Sequence, residues 1–241
     1  MILSERAAAN LRQLVDNPYP GRGIIMGRTS KGELVQIYWV MGRSASSRNR
    51  ILEKISDRHG VVRTRVADRN GFPGDPSLLI YTAMAEVLGN YIVSNGAQTD
   101  AVVQHGMKIL RINDWQYEPD GPNFTPRITG IFNNSGYALD MRLVMLRKSL
   151  FGDECDYSEH TYHQVAPGYG YFISTYAGDG NPLPSFYGEP LLLPIESSDP
   201  AGIAQEYWSL LNEDNRVALA VKVIPALGQS EIAIVNRHQT G

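Results

Sequence analysis

The chain has 241 residues, 43% hydrophobic and 20% charged, ordinary proportions for a soluble globular protein with a sizeable core. A formal net charge of −3 gives no electrostatic drive toward nucleic acid or an anionic membrane. No run approaches the roughly 18 apolar residues of a membrane span, and a single cysteine, Cys155, excludes an internal disulfide.

The start, Met1-Ile2-Leu3-Ser4-Glu5-Arg6, turns polar at once, so no secretory signal is expected. A reducing, cytoplasmic location fits. No internal repeat is visible, and residues 1–241 are expected to form a single domain.

The first element is a helix over 4–15, capped by Ser4, with Ala7, Leu11, Leu14 and Val15 on one apolar face. Asn17-Pro18-Tyr19-Pro20-Gly21 breaks the chain. Strands follow over 23–28 and 34–41, joined by Thr29-Ser30-Lys31-Gly32 as a hairpin turn. Residues 47–57 read as a loop running into a helix, and 61–67 as a half-buried strand. Asp75-Pro76 opens an expected helix over 77–88. A strand over 91–94 runs into the Asn95-Gly96 turn, and a helix runs from Gln98 or Thr99 to about Leu110. The second half reads as β-rich, with strands over 127–132, 139–146, 162–165, 171–176 and 217–224 and a final strand over 232–235. Asp199-Pro200 opens the last helix, over 201–211. Hairpins separated by helices, without regular strand–helix alternation, indicate an α+β protein rather than a doubly wound one.

Four polar segments border these strands. Gly42-Arg43-Ser44-Ala45-Ser46-Ser47-Arg48-Asn49-Arg50 offers many donors to a phosphate, since arginine's planar fork matches phosphate oxygens; a solvated loop is the plain alternative. Gly27-Arg28 ends the strand across the hairpin from 34–41, which puts Arg28, a candidate anion binder, and Tyr38, a candidate proton donor or acceptor, on neighbouring strands; a surface arginine beside a β-favoured aromatic is the plainer reading. Ser94-Asn95-Gly96-Ala97-Gln98-Thr99-Asp100 lies at a strand-to-helix turn, where free backbone N–H groups hold ligands as often as they merely cap a helix. Tyr117-Glu118-Pro119-Asp120, continued by Asn123-Phe124-Thr125-Pro126-Arg127, is a stiff loop with carboxylates and an arginine to grip substrate or each other. His160 and His163, near Asp156 and Glu159, have a metal-like spacing only on a helix, and that stretch reads as a strand. Cys155 sits among acidic neighbours that disfavour its thiolate.

Taken in order, Asn17 through Arg28, Tyr38 through Arg50, Ser94 through Asp100 and Tyr117 through Ile128 resemble the archaeal-type inosine monophosphate (IMP) cyclohydrolases and their bacterial relatives. The resemblance implies a four-layer αββα sandwich like that of N-terminal nucleophile hydrolases. Those hydrolases use an N-terminal Thr, Ser or Cys; with Met1 followed by Ile2, none is expected here, and the cyclohydrolases do not need one. It further implies closure of a formamido-imidazole-carboxamide ribotide to IMP, with no metal or other cofactor, a purine ribonucleotide as the only partner, and no nucleic acid or membrane. Homo-oligomers are common among such enzymes, and one is expected. An amide hydrolase on the same scaffold and a non-catalytic purine nucleotide-binding protein are the rival readings.

On residue chemistry, Arg28, Tyr38 and Glu118 are assigned to catalysis, Tyr38 in proton transfer or oxyanion support and Glu118 in proton transfer. Arg43, Ser47, Arg48, Asn49 and Arg50 are assigned to the phosphate. Asn95, Gly96 and Asp100 are assigned to the carboxamide or ribose, Asn123 to the substrate, and Arg127 to positioning of either Glu118 or the substrate.

Overall fold

The computed structural model describes residues 2–68, 79–112, 115–134 and 139–238. It is an α+β protein built on two antiparallel sheets. Helix α1 (Leu3–Asp16) precedes the hairpin β1 (Gly23–Arg28) and β2 (Leu34–Met41), as expected, but its N-cap is Ile2, so Ser4 lies inside the first turn, and Val15 is exposed rather than on the buried face. These strands join β10 (Tyr169–Ser174), β11 (Leu191–Pro194), β12 (Arg216–Ile224) and β13 (Glu231–Asn236) in a six-stranded sheet of order β11-β10-β1-β2-β12-β13.

The other sheet has seven strands in chain order: β3 (Arg50–Lys54), β4 (Val62–Val66), β5 (Thr82–Val87), β6 (Asn90–Ser94), β7 (Arg127–Asn134), β8 (Leu139–Lys148) and β9 (Cys155–Tyr162). Helix α2 (Ala45–Arg48) sits between β2 and β3, and α3 (Gln98–His105) and α4 (Ile109–Ile112) between β6 and β7. Helix α5 (Pro200–Leu210) precedes β12; Asp199 caps it by accepting from Gly202 N at 2.8 Å, with Pro200 in its first turn.

Three apolar clusters hold the molecule together. Between the sheets, Ile24, Met26, Tyr38 and Ala220 pack on Leu52, Met84, Ile128, Phe132 and Leu143. On the outer face of the six-stranded sheet, Ile37, Trp39 and Leu219 meet Leu14 of α1 and Ile203 and Tyr207 of α5. On the outer face of the seven-stranded sheet, Ile92, Ile131 and Val144 meet Val102, Ile109 and Leu110. Strand β2 is covered on both faces, which is why it reads as one apolar run and not as an alternation. The sheets approach closely at Gly130, where a Cβ would stand 2.1 Å from Met26 Sδ, so a larger residue would have to push that side chain aside. Lys222 is also buried between the sheets, its ammonium donating to Gly60 O at 2.6 Å.

Several expectations are corrected. Residues 82–87 form β5, not part of a helix; the rest of that expected helix start, 75–78, lies outside the described residues. Thr82-Ala83-Met84-Ala85-Glu86 contains good helix formers, but Met84 is buried between the sheets and Ala85 under α3, a demand only a two-faced strand meets. A two-residue turn with positive φ at Leu88 and Gly89 then returns the chain into β6. Residues 50–54 are strand β3, not helix, because they pair with β4. The helix expected to reach Leu110 breaks at Gly106, whose φ is +74°. The strand expected over 162–165 instead ends at Tyr162 and starts at Cys155; acidic residues on its two faces pair across to β8, Glu159 with Arg142 at 3.5 Å and Asp156 with Arg147 at 3.7 Å. Strand β11 had no counterpart in the sequence reading. Among the described residues, no helix is long and apolar enough to cross a membrane.

Candidate active site

A cavity of about 500 Å³ opens where β1 begins and β2 ends, at the edge between the two sheets. Its walls carry Arg22, Arg43, Arg50 and Arg127 with the carboxylates Glu118 and Asp120, and the aromatics Tyr19, Tyr81 and Tyr176.

Arg22 is clamped at the mouth of β1 by Thr175, whose hydroxyl accepts from Arg22 N at 3.1 Å and whose N–H donates to Arg22 O at 2.9 Å. Its guanidinium donates to Glu118 Oε2 at 3.1 Å, both side chains being largely buried. Burial opposes the arginine's charge, but Glu118, helped by Tyr81, Tyr176 and Tyr38, outweighs it and holds the pKa well above the usual value. Glu118 is fixed through its own backbone, Glu118 N donating to Thr125 O at 2.8 Å, while Thr125 N donates to Asp120 Oδ1 at 2.7 Å. Arg127, at the start of β7, donates to Gln116 O at 2.8 Å and Gln98 Oε1 at 3.1 Å, with Nη1 4.0 Å from the other Glu118 oxygen. Burial, and then repulsion from Arg22, lower its pKa against the pull of Glu118. One carboxylate thus stands between two arginines from opposite sheets.

Gly96 makes the Arg127 position possible. A Cβ there would stand 2.7 Å from Arg127 Nη1 and 2.7 Å from Gln98 Oε1.

Tyr81 reaches the cavity, and its hydroxyl lies 2.6 Å from that of Tyr38, which is wholly buried behind it. Burial, reinforced by the neighbouring phenol, pushes the Tyr38 pKa well above its usual value, so Tyr38 remains protonated at neutral pH. At the outer wall, Arg43 lies over the Tyr19 ring, 5.0 Å from its centroid, and Tyr19 stacks on Tyr176 at 5.9 Å. The Tyr176 hydroxyl shares a short hydrogen bond with Thr125, and burial raises its pKa to about 12. Arg50 donates to Ser47 O at 2.9 Å and Met41 O at 3.2 Å.

The IMP cyclohydrolase-like protein family matches this chain over residues 19–228. The chain belongs to that family. No curated protein and no solved structure matches it.

All cavity-lining residues fall inside the stretch matched to the IMP cyclohydrolase-like family. Of the residues singled out in the sequence, Arg43, Ser47, Arg50, Gly96, Glu118, Asn123 and Arg127 line the cavity. Tyr38 lies one phenol removed from it. Ser47 turns its hydroxyl back to Ser44 O at 3.0 Å, and Asn123 uses its side-chain oxygen to accept from Leu183 N at 3.0 Å.

The other five are placed elsewhere. Arg28 pairs with Leu34, whereas Tyr38 pairs with Ile24, so the two sit four residues apart along the hairpin, about 13 Å at strand rise. Arg28 donates to Gly32 O at 2.6 Å within its own turn. Arg48 donates to Gly42 O at 3.0 Å and Asn215 Oδ1 at 3.4 Å, and Asn49 clasps the Asp68 backbone, both its bonds being 2.7 Å. Asn95 is buried under the site, accepting from Ile128 N at 2.8 Å and donating to Pro126 O at 2.9 Å, so it builds the floor. Asp100 is exposed on α3.

Arg22, Tyr19, Tyr81, Tyr176 and Asp120 complete the cavity without having been singled out for a role. Arg22 carried a signal, since it lies in the first family-like block; Tyr81 lay hidden in a stretch read as helix.

Proposed function

We propose that this chain closes the purine ring of a formamido-imidazole-carboxamide ribotide to give IMP and water. The observation that carries the reading is Glu118 held between Arg22 and Arg127 in a cationic cavity with a phenol pair on its wall. The family's description and the ordered blocks support the same reaction.

The reaction joins two ends of one molecule, so catalysis is chiefly a matter of folding the substrate into contact distance. Arg43 and Arg50 take the phosphate at the outer end, and the stacked Tyr19 and Tyr176 flank the planar ring. At the inner end the carboxamide nitrogen attacks the formyl carbon. A C–N bond forms, the formyl oxygen becomes anionic, and Arg22 stabilises it. Glu118 accepts the proton from the attacking nitrogen, and Tyr81, backed by Tyr38, protonates the oxygen. The C–O bond then breaks as the former formamide nitrogen loses its proton. The two protons lost from the nitrogens leave with the oxygen as water. No external nucleophile takes part.

The layering of α1 and α5, two sheets, and α3 with α4 supports reading the fold as the αββα arrangement of N-terminal nucleophile hydrolases. Strands from both ends of the chain share the six-stranded sheet, which supports one domain over 1–241.

The direct test is turnover of the formylated ribotide to IMP by purified protein without added metal or nucleotide, followed by ultraviolet absorbance. The expected result is turnover above the spontaneous rate. A rate equal to the spontaneous one overturns the proposal, and tight IMP binding without turnover would move the assignment to a nucleotide-binding protein.

A further inference from the structure

Arg43 differs from the other cavity arginines in the origin of its counterion. Arg22 and Arg127 share Glu118 inside the cavity, and Arg50 is held by backbone carbonyls. Arg43 instead donates to the Asp179 carboxylate and, at 3.0 Å, to Gly180 O, both on the loop that follows β10. Asp179 is not part of the cavity wall; it is half-exposed and meets Arg43 at the rim.

The loop is pinned at its ends, and between them it is tied to the rest of the protein through Arg43. Ala177 N donates to Pro184 O at 2.9 Å, Tyr176 bridges to Ser185, and Leu183 N donates to Asn123 Oδ1 at 3.0 Å. Between these anchors the hydrogen bond from Gly180 N to Asp179 Oδ1, 2.9 Å, is local to the loop itself. Residues 178–182 can therefore shift without disturbing a strand.

We propose that Asp179 is a resident stand-in for the substrate's phosphate: it holds Arg43 over Tyr19 and is exchanged for the phosphate when a ribotide enters. The inference rests on the ribotide reading of the cavity. An exposed carboxylate–arginine pair is weak, whereas a phosphate brings nearly twice the charge and more acceptor oxygens to the same fork. The exchange is thus favourable for a phosphorylated ligand and has nothing to drive it for the same nucleoside without phosphate. Asp179 thus lowers the affinity of the outer end for a phosphate, which binds Arg43 only by displacing it, and leaves a nucleoside unaffected.

The test compares IMP and inosine binding by titration calorimetry for the wild type, Asp179→Asn, Arg43→Gln and the double variant. Removing the competitor should tighten IMP roughly three- to fivefold, the range of one exposed ion pair, and leave inosine unchanged. The gain should vanish when Asp179→Asn is added to Arg43→Gln. IMP binding that is unchanged or weaker in Asp179→Asn, or an equal shift for both ligands, overturns the inference and leaves the ribotide reading intact. Failure of IMP to bind either wild type or Asp179→Asn at millimolar concentration overturns both.

Discussion

Arg22 and Glu118 meet at 3.1 Å although they enter the cavity from different sheets, Arg22 at the start of β1 and Glu118 on the loop before β7. The pair ties the two sheets together at the site, and in the proposed ring closure its carboxylate takes the proton. Exchanging Glu118 for Gln keeps the size but removes the base, and leaves one acceptor oxygen for two arginines. Turnover should fall roughly 100-fold or more, the usual contribution of a positioned proton acceptor. IMP affinity, measured by calorimetry, should change little. An unaltered rate would remove Glu118 from the chemistry.

The relocation from Arg28 to Arg22 is checked by a pair of variants. Arg28→Ala should retain activity within about twofold, because its guanidinium serves its own turn. Arg22→Lys keeps the charge but loses the planar fork, and its kcat should drop about tenfold or more. The reverse order of severity would restore Arg28 to the site.

Tyr38 and Tyr81 form a phenol pair in which only Tyr81 reaches the cavity. Tyr38→Phe should lower kcat while leaving KM nearly constant, because the lost hydroxyl supports Tyr81 and does not touch the ligand. Its stability cost in urea unfolding should be about 1 kcal/mol, typical of one hydrogen bond. A change confined to KM would contradict the relay.

Gly96→Ala tests the clearance beside Arg127. The new methyl would collide with the end of a flexible side chain, so the fold should lose under about 1 kcal/mol. The arginine, however, would be displaced by around an ångström, which can cost up to about 100-fold in rate. Full activity with an unshifted melting temperature would show that the Arg127 position is not critical.

Lys222 bears on stability rather than on the site. Burial lowers its pKa to about 8, against the attraction of Glu86. The folded state therefore holds this proton less tightly than the unfolded chain, whose lysines titrate near pH 10.4. Between about pH 8 and 10 the unfolded state binds more protons, so stability should rise with pH, by at most about 1.4 kcal/mol per unit. Below pH 8 the full cost of burying the charge is present. Urea midpoints of wild type and Lys222→Met across this window should diverge, with the rise seen only in wild type. Parallel curves would rule the lysine out as their source.

Helix α1, the β1–β2 hairpin, the Asp199-Pro200 start of α5 and strand β12 were legible from the sequence alone, because periodicity, caps and turn residues act over a few neighbours. So were the polar blocks, and most of the cavity's charged residues lie in them. Tertiary structure decided the rest. Whether residues 82–87 are helix or strand depended on their being covered on both faces, which no local window contains. Which arginine joins Tyr38 at the site was set by strand register, since side chains at opposite ends of a hairpin are neighbours in pattern but not in space. Asn95 and Asn49 have the chemistry of ligand contacts, and only the packed chain shows that their donors and acceptors are spent on the backbone. Residue type determines what a side chain can do; the distances imposed by two stacked sheets determine which of those possibilities meet.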